Sequence, residues 1–369
     1  MIIGFDAKRL FCNTTGLGNY SRTLVRNYSE LDGNTFILYS SKDKNLYESE
    51  YFKKSKSFVS KFNDSFLWRS KGIIKDLISD KVQVYHGLSN EIPFGIHKTE
   101  IKTVVTVHDL IFKVYPNTYP LIDRLIYDFK FRYACTHADQ IIAISESTKK
   151  DIIKFYGTSA SKIKVIPQTT LEEYWEEDDL KLQDLLIKEF NLPSNFMLSV
   201  GTIEERKNLR SVIQALAKLE VKIPLVIVGG GKSYKNDILK LIESLDLKKW
   251  VFFIPRRINN RELKNLYSLA KFSIYPSLYE GFGLPLLESR LSKTPVITSN
   301  ISSLPEAAGN DNQCVNPLNI EELKKAMLLY INKDLTELSE QTQKSAFDEF
   351  GKNKLNTLLN SLYIELLDD

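Results

Sequence analysis

Cysteine, histidine, methionine and tryptophan are all scarce: three, four, three and three residues in a chain of 369. Cys12, Cys135 and Cys314 stand far apart and cannot all pair, which excludes a disulfide scaffold and a zinc knuckle and points to a reducing compartment. Long apolar runs are missing too: none approaches the roughly 20 residues that a bilayer-spanning helix needs. The opening, MIIGFDAKRL, passes from a short apolar strand straight into charge and lacks the apolar core of a signal peptide. A cytoplasmic protein is therefore expected, and the five Asn-x-Ser/Thr triplets, such as Asn13-Thr14-Thr15, carry no glycan. What remains is ordinary for a folded protein, with 43% hydrophobic and 26% charged residues. The length suits two domains.

The net charge of +4 hides an asymmetry: residues 1–168 carry +8 and the rest −4. A basic half suggests an anionic surface or ligand, although a solvated lysine-rich face gives the same count.

Short β-branched runs alternate with amphipathic stretches, the pattern of parallel sheets covered by helices. The first half predicts strands at Ile2–Phe5, Thr35–Tyr39, Val82–Tyr85, Thr103–Val107, Gln140–Ile144 and Lys164–Ile166. Helices are predicted near 18–31, 65–79, 120–137 and 146–156, the last capped by Ser145. The pattern pauses at Pro167–Thr170 and the acidic stretch Glu172–Asp179. It restarts with strands at Phe196–Val200, Leu225–Val228, Trp250–Phe253, Phe272–Tyr275 and Pro295–Thr298, with helices between them, including 208–219 and 234–245. From about 319 the chain reads as helix only. The expected architecture is α/β, with two doubly wound, Rossmann-like domains at 1–168 and 169–350, and a last helix at 351–369 crossing back onto the first. Such sheets bind ligands at the carboxyl ends of their strands, so two that face one another would enclose a cleft between the domains.

The most informative segment is Tyr275-Pro276-Ser277-Leu278-Tyr279-Glu280-Gly281-Phe282-Gly283-Leu284-Pro285-Leu286-Leu287-Glu288. It follows a strand and opens a helix, with Pro285 suited to the first turn. Gly281 and Gly283 allow close backbone approach, and the amides of Phe282–Leu284 favour an anion. Glu280 and Glu288 bracket this turn. Carboxylates accept hydrogen bonds from sugar hydroxyls, so the segment suits a ligand that is part phosphate and part sugar.

This string resembles the glutamate–seven residues–glutamate signature of the family 4 retaining glycosyltransferases, which have the GT-B fold. The resemblance runs along the chain: FMLSVGTIEERKNL at 196–209, Thr106–Asp109, ADQIIAISEST at 138–148 and KIKVIP at 162–167 are all similar to family segments. TTGLGNYSR, at 14–22, is similar to a subset associated with mannosyltransferases of bacterial surface-polysaccharide assembly. The resemblance implies that Lys207 contacts a donor diphosphate, with Arg206 supplying the guanidinium that relatives place at the position of Thr202. It implies that His108 touches the donor sugar from the first domain and that Glu280 holds the sugar while Glu288 holds the ribose. Gly16 and Gly18 are expected in a turn before the first helix, approaching the diphosphate or the acceptor. A metal-independent reaction is implied, and His86, His97 and His137 show no metal-ligand spacing.

Two features mislead. Gly231-Lys232-Ser233 imitates a phosphate-binding loop whose first glycine would fall at Val226, inside a strand. Gly229-Gly230-Gly231 lacks the spacing of a dinucleotide fingerprint. A third feature stays open. Residues 42–76 hold nine basic against five acidic residues, interleaved with Tyr47, Tyr51, Phe52, Phe58, Phe62, Phe66 and Trp68. That composition suits an anionic membrane surface and equally suits a helix packing its aromatics inward. No nucleic-acid-binding module accompanies it.

The expected function is transfer of a hexose, with mannose from GDP-mannose favoured, onto a growing lipid-linked glycan, without a cofactor beyond the nucleotide-sugar. The rivals are a nucleotide-sugar epimerase or hydrolase of the same fold, which would consume donor without an acceptor, and a non-catalytic binding protein.

Overall fold

A computed structural model describes residues 1–28, 33–44, 49–55 and 57–368. The chain divides into two units, Met1–Thr169 with Phe350–Asp369, and Thr170–Glu349.

In the first unit the strands are β1 (Ile2–Asp6), β2 (Thr35–Ser40), β3 (Phe58–Phe62), β4 (Val84–Gly87), β5 (Lys102–Val107), β6 (Gln140–Ala143) and β7 (Ile163–Val165). They form one sheet in the order β3-β2-β1-β4-β5-β6-β7, every pair parallel. Side chains alternate across it. Ile3, Phe5, Phe36, Leu38, Val84 and Val104 join one buried cluster, while Ile37, Tyr39, Tyr85, Val105 and Val107 join the other. Because helices cover both faces, the strands read as nearly continuous apolar runs.

The C-terminal helix Lys352–Asp368 belongs to the first cluster through Leu355, Leu359, Leu362 and Tyr363. Polar ties fix its register: Asn356 Nδ2 donates to Asn27 O at 2.9 Å and Tyr28 OH to Asn360 Oδ1 at 2.8 Å.

The second unit has β8 (Met197–Val200), β9 (Leu225–Val228), β10 (Val251–Phe253), β11 (Phe272–Tyr275), β12 (Val296–Ser299) and β13 (Gln313–Val315). Their order is β10-β9-β8-β11-β12-β13, again all parallel. The chain builds outward on one side of β8 and then crosses to β11, which makes the β8/β11 boundary the switch point of this sheet. The corresponding boundary in the first unit lies between β1 and β4.

Several elements escape the sequence pattern, short helices such as Lys8–Cys12 among them. The edge strand β3 buries Phe58, while Val59 and Phe62 are exposed, so it shows no alternation. The three-residue strand β13 is too short to stand out. The helix Leu180–Phe190 falls just after the acidic pause and is capped by Asp179, whose side chain accepts from Leu182 N at 3.1 Å. The predicted helix at 65–79 begins instead as a wide turn, Trp68–Gly72, before regular helix at Ile73–Ser79. Ser145 caps Glu146–Tyr156, its Oγ accepting from Thr148 N at 3.0 Å. The first long helix runs Gly16–Tyr28; the expected residues 29–31, and Tyr47, lie outside the described residues.

Candidate active site

The register Phe272↔Met197 and Ser273↔Leu198 sets the ends of β8 and β11 side by side. After β8 the chain passes Gly201, at φ +137°, and makes a tight turn at Glu205–Lys207. Gly229 at the end of β9 presses against this turn, where an added Cβ would stand 1.8 Å from Gly201 O. Gly231 bridges Ile203 in the same way. The glycine run thus serves close backbone packing, which explains its lack of fingerprint spacing.

The turn after β8 is stitched to the turn after β11. Leu278 N donates to Arg206 O at 2.8 Å. Asn208, buried and in the left-handed region at φ +56°, donates to Pro276 O at 3.1 Å and Pro317 O at 2.9 Å. The result brings Lys207, Arg206 and Glu280 together. Lys207 Nζ stands 2.6 Å from Glu280 Oε1, and Arg206 Nη1 2.8 Å from Glu280 Oε2. Arg206 also donates to Tyr279 O at 2.6 Å and pairs with Glu204, which is 41% exposed at the rim. Thr202, by contrast, is exposed.

Tyr275 completes the group. Its hydroxyl lies 3.1 Å from Glu280 Oε1 and accepts from Lys207 Nζ, whose ammonium also sits 4.8 Å from the ring centroid. Burial works to raise the Glu280 carboxyl, but Lys207 and Arg206 outweigh it and hold the group below the usual carboxylate range. Burial likewise opposes charge on Lys207, and Tyr275 and Glu280 override it, so its ammonium is held above the ordinary value. Burial pushes the Tyr275 phenol up to about 12.

The loop beyond Glu280 is fixed from β12. Glu280 N donates to Ser302 Oγ at 3.1 Å, and Ser303 Oγ reaches the carbonyls of Glu280 at 2.9 Å and Phe282 at 2.8 Å. Gly283, at φ +121°, leads into the helix Leu284–Leu291 with Pro285 in its first turn. Glu288 lies on that helix, where its carboxylate accepts from the Tyr267 hydroxyl at 3.4 Å. Burial pushes its carboxyl up to about 7.

In the first unit, His108 follows β5 and is 4% exposed. Its Nε2 lies 2.8 Å from Leu88 O, and a carbonyl can only accept, so Nε2 carries the proton. Nδ1 then accepts from the Gln168 amide at 3.0 Å. Burial pushes the ring down to about 4, so it is neutral. Both nitrogens are thus held by the protein, and a ring-nitrogen contact to a sugar would require one partner to let go. Tyr20 packs edge-on at 4.6 Å and leads through Thr106 to His86 and on to Tyr363, at 2.9, 2.8 and 2.6 Å.

The glycine expectation needs correcting. Gly16 and Gly18 lie in the first turn of the helix Gly16–Tyr28, after a short helix Lys8–Cys12. A Cβ on Gly18 would stand 1.9 Å from Asn13 O, while one on Gly16 would meet nothing within 4 Å. Gly18 therefore lets the helix start close onto the Asn13 turn. The 42–76 stretch also divides: Phe52, Phe58 and Trp68 are buried and Trp68 Nε1 donates to Asp76 at 2.6 Å, whereas Phe66 is 91% exposed.

Sequence reasoning gave no role to Tyr275, Asn208, Ser302 or Ser303. It also passed over the pair at the β1/β4 boundary, where Arg69 grips Asp6 through Nε–Oδ1 at 3.1 Å and Nη2–Oδ2 at 2.6 Å. Among the described residues no cluster of His, Cys, Asp or Glu is arranged to hold a metal, and the three cysteines are free thiols.

Residues 14–169 match the description Glycosyltransferase Family 4, and residues 184–349 match Glycosyl transferases group 1. The chain belongs to the family 4 glycosyltransferases. This glycosyltransferase is 28% identical over 259 residues to O-antigen chain mannosyltransferase B of Escherichia coli, covering 69% of this chain and 66% of that protein. It is 30% identical over 238 residues to O-antigen chain mannosyltransferase RfbU of Salmonella typhimurium, covering 62% and 63%. It thus spans just under two thirds of the length of these curated relatives. Its fold is that of Anabaena HepE in complex with UDP and glucose, with a TM-score of 0.76, 15% identity, and coverage of 99% and 100%. The two parallel-sheet domains are of the GT-B type.

Proposed function

We propose that this glycosyltransferase moves mannose from GDP-mannose to a lipid-linked glycan in surface-polysaccharide assembly, with retention of configuration and no metal. The observation that carries the transferase reading is the Lys207–Arg206–Glu280 cluster at the β8/β11 switch point. Two cations there meet the partly buried Glu280 carboxylate, with Glu204 on Arg206 at the rim, beside the start of a helix, a place suited to a diphosphate. The mannose and the glycan are supported by the O-antigen mannosyltransferases to which the chain is similar.

The barrier is departure of the charged diphosphate. Lys207 and Arg206, with the amides of Phe282–Leu284, stabilise negative charge as the bond breaks. Glu280 exchanges its two cations for donor hydroxyls when the diphosphate takes its place against them. Glu288 accepts from the ribose. Arg206 stands in for the guanidinium that relatives place at the position of Thr202. The departing phosphate takes the acceptor proton on the same face, so the protein supplies no base there. The acceptor binds the basic first unit, which also carries His108.

A thermal-shift panel of GDP-mannose, UDP-glucose and other nucleotide-sugars, followed by transfer to a lipid-linked mannosyl acceptor, tests this. GDP-mannose is expected to stabilise the protein most. Stabilisation by UDP-glucose alone would overturn the donor assignment. Donor consumption without acceptor would replace the transferase with a hydrolase or epimerase.

A further inference from the structure

Leu121, Ile122, Leu125, Ile126 and Phe129 are 63, 71, 62, 45 and 63% exposed on the single helix Leu121–His137. Their spacing gathers them on one stripe, while Phe131, Ala134 and Cys135 fill the buried side. Single exposed apolar residues are normal on a soluble protein, but a contiguous stripe marks an interaction surface.

The stripe does not end with the helix. The Phe129 ring meets Phe94 at 5.7 Å, and Phe94 N donates to Ser70 O at 2.7 Å. Ser70 belongs to the turn that follows Phe66, 91% exposed, and Leu67, 60% exposed and held at φ +62°. Lys71 and Lys75 line the same concavity as these two residues.

Charge decides what fits. Of the nearby acids, Asp128 is matched by Lys113 at 2.6 Å, and Glu91 by Arg69 at 2.8 Å and Lys130 at 3.1 Å. Asp76 is held by Trp68. Asp6, in the same pocket as Ser70 and Phe94, is held by Arg69 at 2.6 Å, and Asp64 and Asp123 are close to the face in sequence. Lys71 and Lys75 flank the apolar surface, Arg132 extends it at 54% exposure, and residues 1–168 carry +8. A second copy meeting this face symmetrically would bring like charges together.

We propose that this face docks on the anionic surface of a lipid bilayer, with the aliphatic stripe in the interface and the lysines among headgroups. The contact thus keeps only the 66–75 end of the 42–76 stretch and joins it to helix residues 121–129. It complements the reading of a lipid-linked acceptor but needs neither donor nor acceptor.

The test is sedimentation with vesicles of phosphatidylglycerol and phosphatidylcholine, against pure phosphatidylcholine, without sugar nucleotide. The native protein is expected to favour anionic vesicles. The Leu125→Ser/Phe129→Ser variant should partition about tenfold more weakly onto both. Lys71→Glu/Lys75→Glu should lose the preference for anionic vesicles. All four side chains are solvent-facing, so thermal unfolding and transfer to a soluble oligosaccharide should be unchanged. Failure of the native protein to bind, or wild-type binding by Leu125→Ser/Phe129→Ser, overturns the proposal. So does a solution dimer that this variant dissolves, which would assign the face to a second copy. Vesicle binding without any transferase activity would support docking and overturn the proposed function instead.

Discussion

Lys207 and Glu280, 73 residues apart in the chain, meet with Nζ 2.6 Å from Oε1 at the junction of β8 and β11. Neither would be stable alone at that depth. Partial burial alone works against charge on both groups, and each restores it in the other. The pair therefore holds charge in a partly desolvated place, and in the proposed function the donor diphosphate takes the carboxylate's place against Lys207.

The proposed role of Lys207 predicts a loss in the chemical step. Lys207→Ala should lower kcat by roughly 10²–10³-fold, the scale for one preorganised electrostatic contact. Steady-state kinetics at saturating acceptor check this, and an unchanged kcat would place the diphosphate elsewhere.

Tyr275 predicts a smaller, separable effect. Tyr275→Phe keeps the ring under Lys207 but removes the hydroxyl shared by Lys207 and Glu280. Losing one hydrogen bond, at about 0.5–1.5 kcal/mol, should reduce kcat about two- to tenfold. Donor KM should change little. A loss as large as that of Lys207→Ala would give the phenol a direct catalytic part.

Glu288 predicts a pH dependence. Its carboxyl is pushed up to about 7 in the folded protein, from an ordinary value of 4.5. Between these values the folded state binds more protons than the unfolded one, so this group's contribution to stability falls as pH rises through that window. Glu288→Gln should flatten the thermal-unfolding profile across that window, between 4.5 and about 7. If the carboxylate accepts from the ribose, donor KM should also rise as pH falls below about 7 in the native enzyme but not in the variant. Parallel profiles for both proteins would remove the assigned titration.

The two N-terminal glycines should separate cleanly. Gly16→Ala meets nothing within 4 Å and should be neutral or stabilising by up to about 1 kcal/mol. Gly18→Ala forces a Cβ to 1.9 Å from Asn13 O and should destabilise by about 1–3 kcal/mol. Urea unfolding measures both, and equal midpoints would mean that the Asn13 turn yields freely.

Most of the scaffold was legible because parallel strands buried on both faces write themselves as short β-branched runs, and Ser145 announces its helix by the chemistry of its hydroxyl. Segments with little buried surface left no such mark, as at β3 and β13. The site was legible where residues lie close in sequence, in Tyr275–Glu288 and Arg206-Lys207.

The sequence by itself determined the alternating α/β order, the absence of any long apolar span, and the identities of the charged groups available to bind an anion. Tertiary structure alone decided which of them meet. Crossing from β8 to β11 joins residues 73 apart around Glu280. The left-handed backbone at Ser302, unusual for a serine, is set by packing, whereas Asn208 is a residue type that tolerates it. Burial of one face of the helix Leu121–His137 fixes which of its apolar residues remain in water. Contacts between distant segments depend on strand order and register, and a linear pattern of side chains does not encode either one residue at a time.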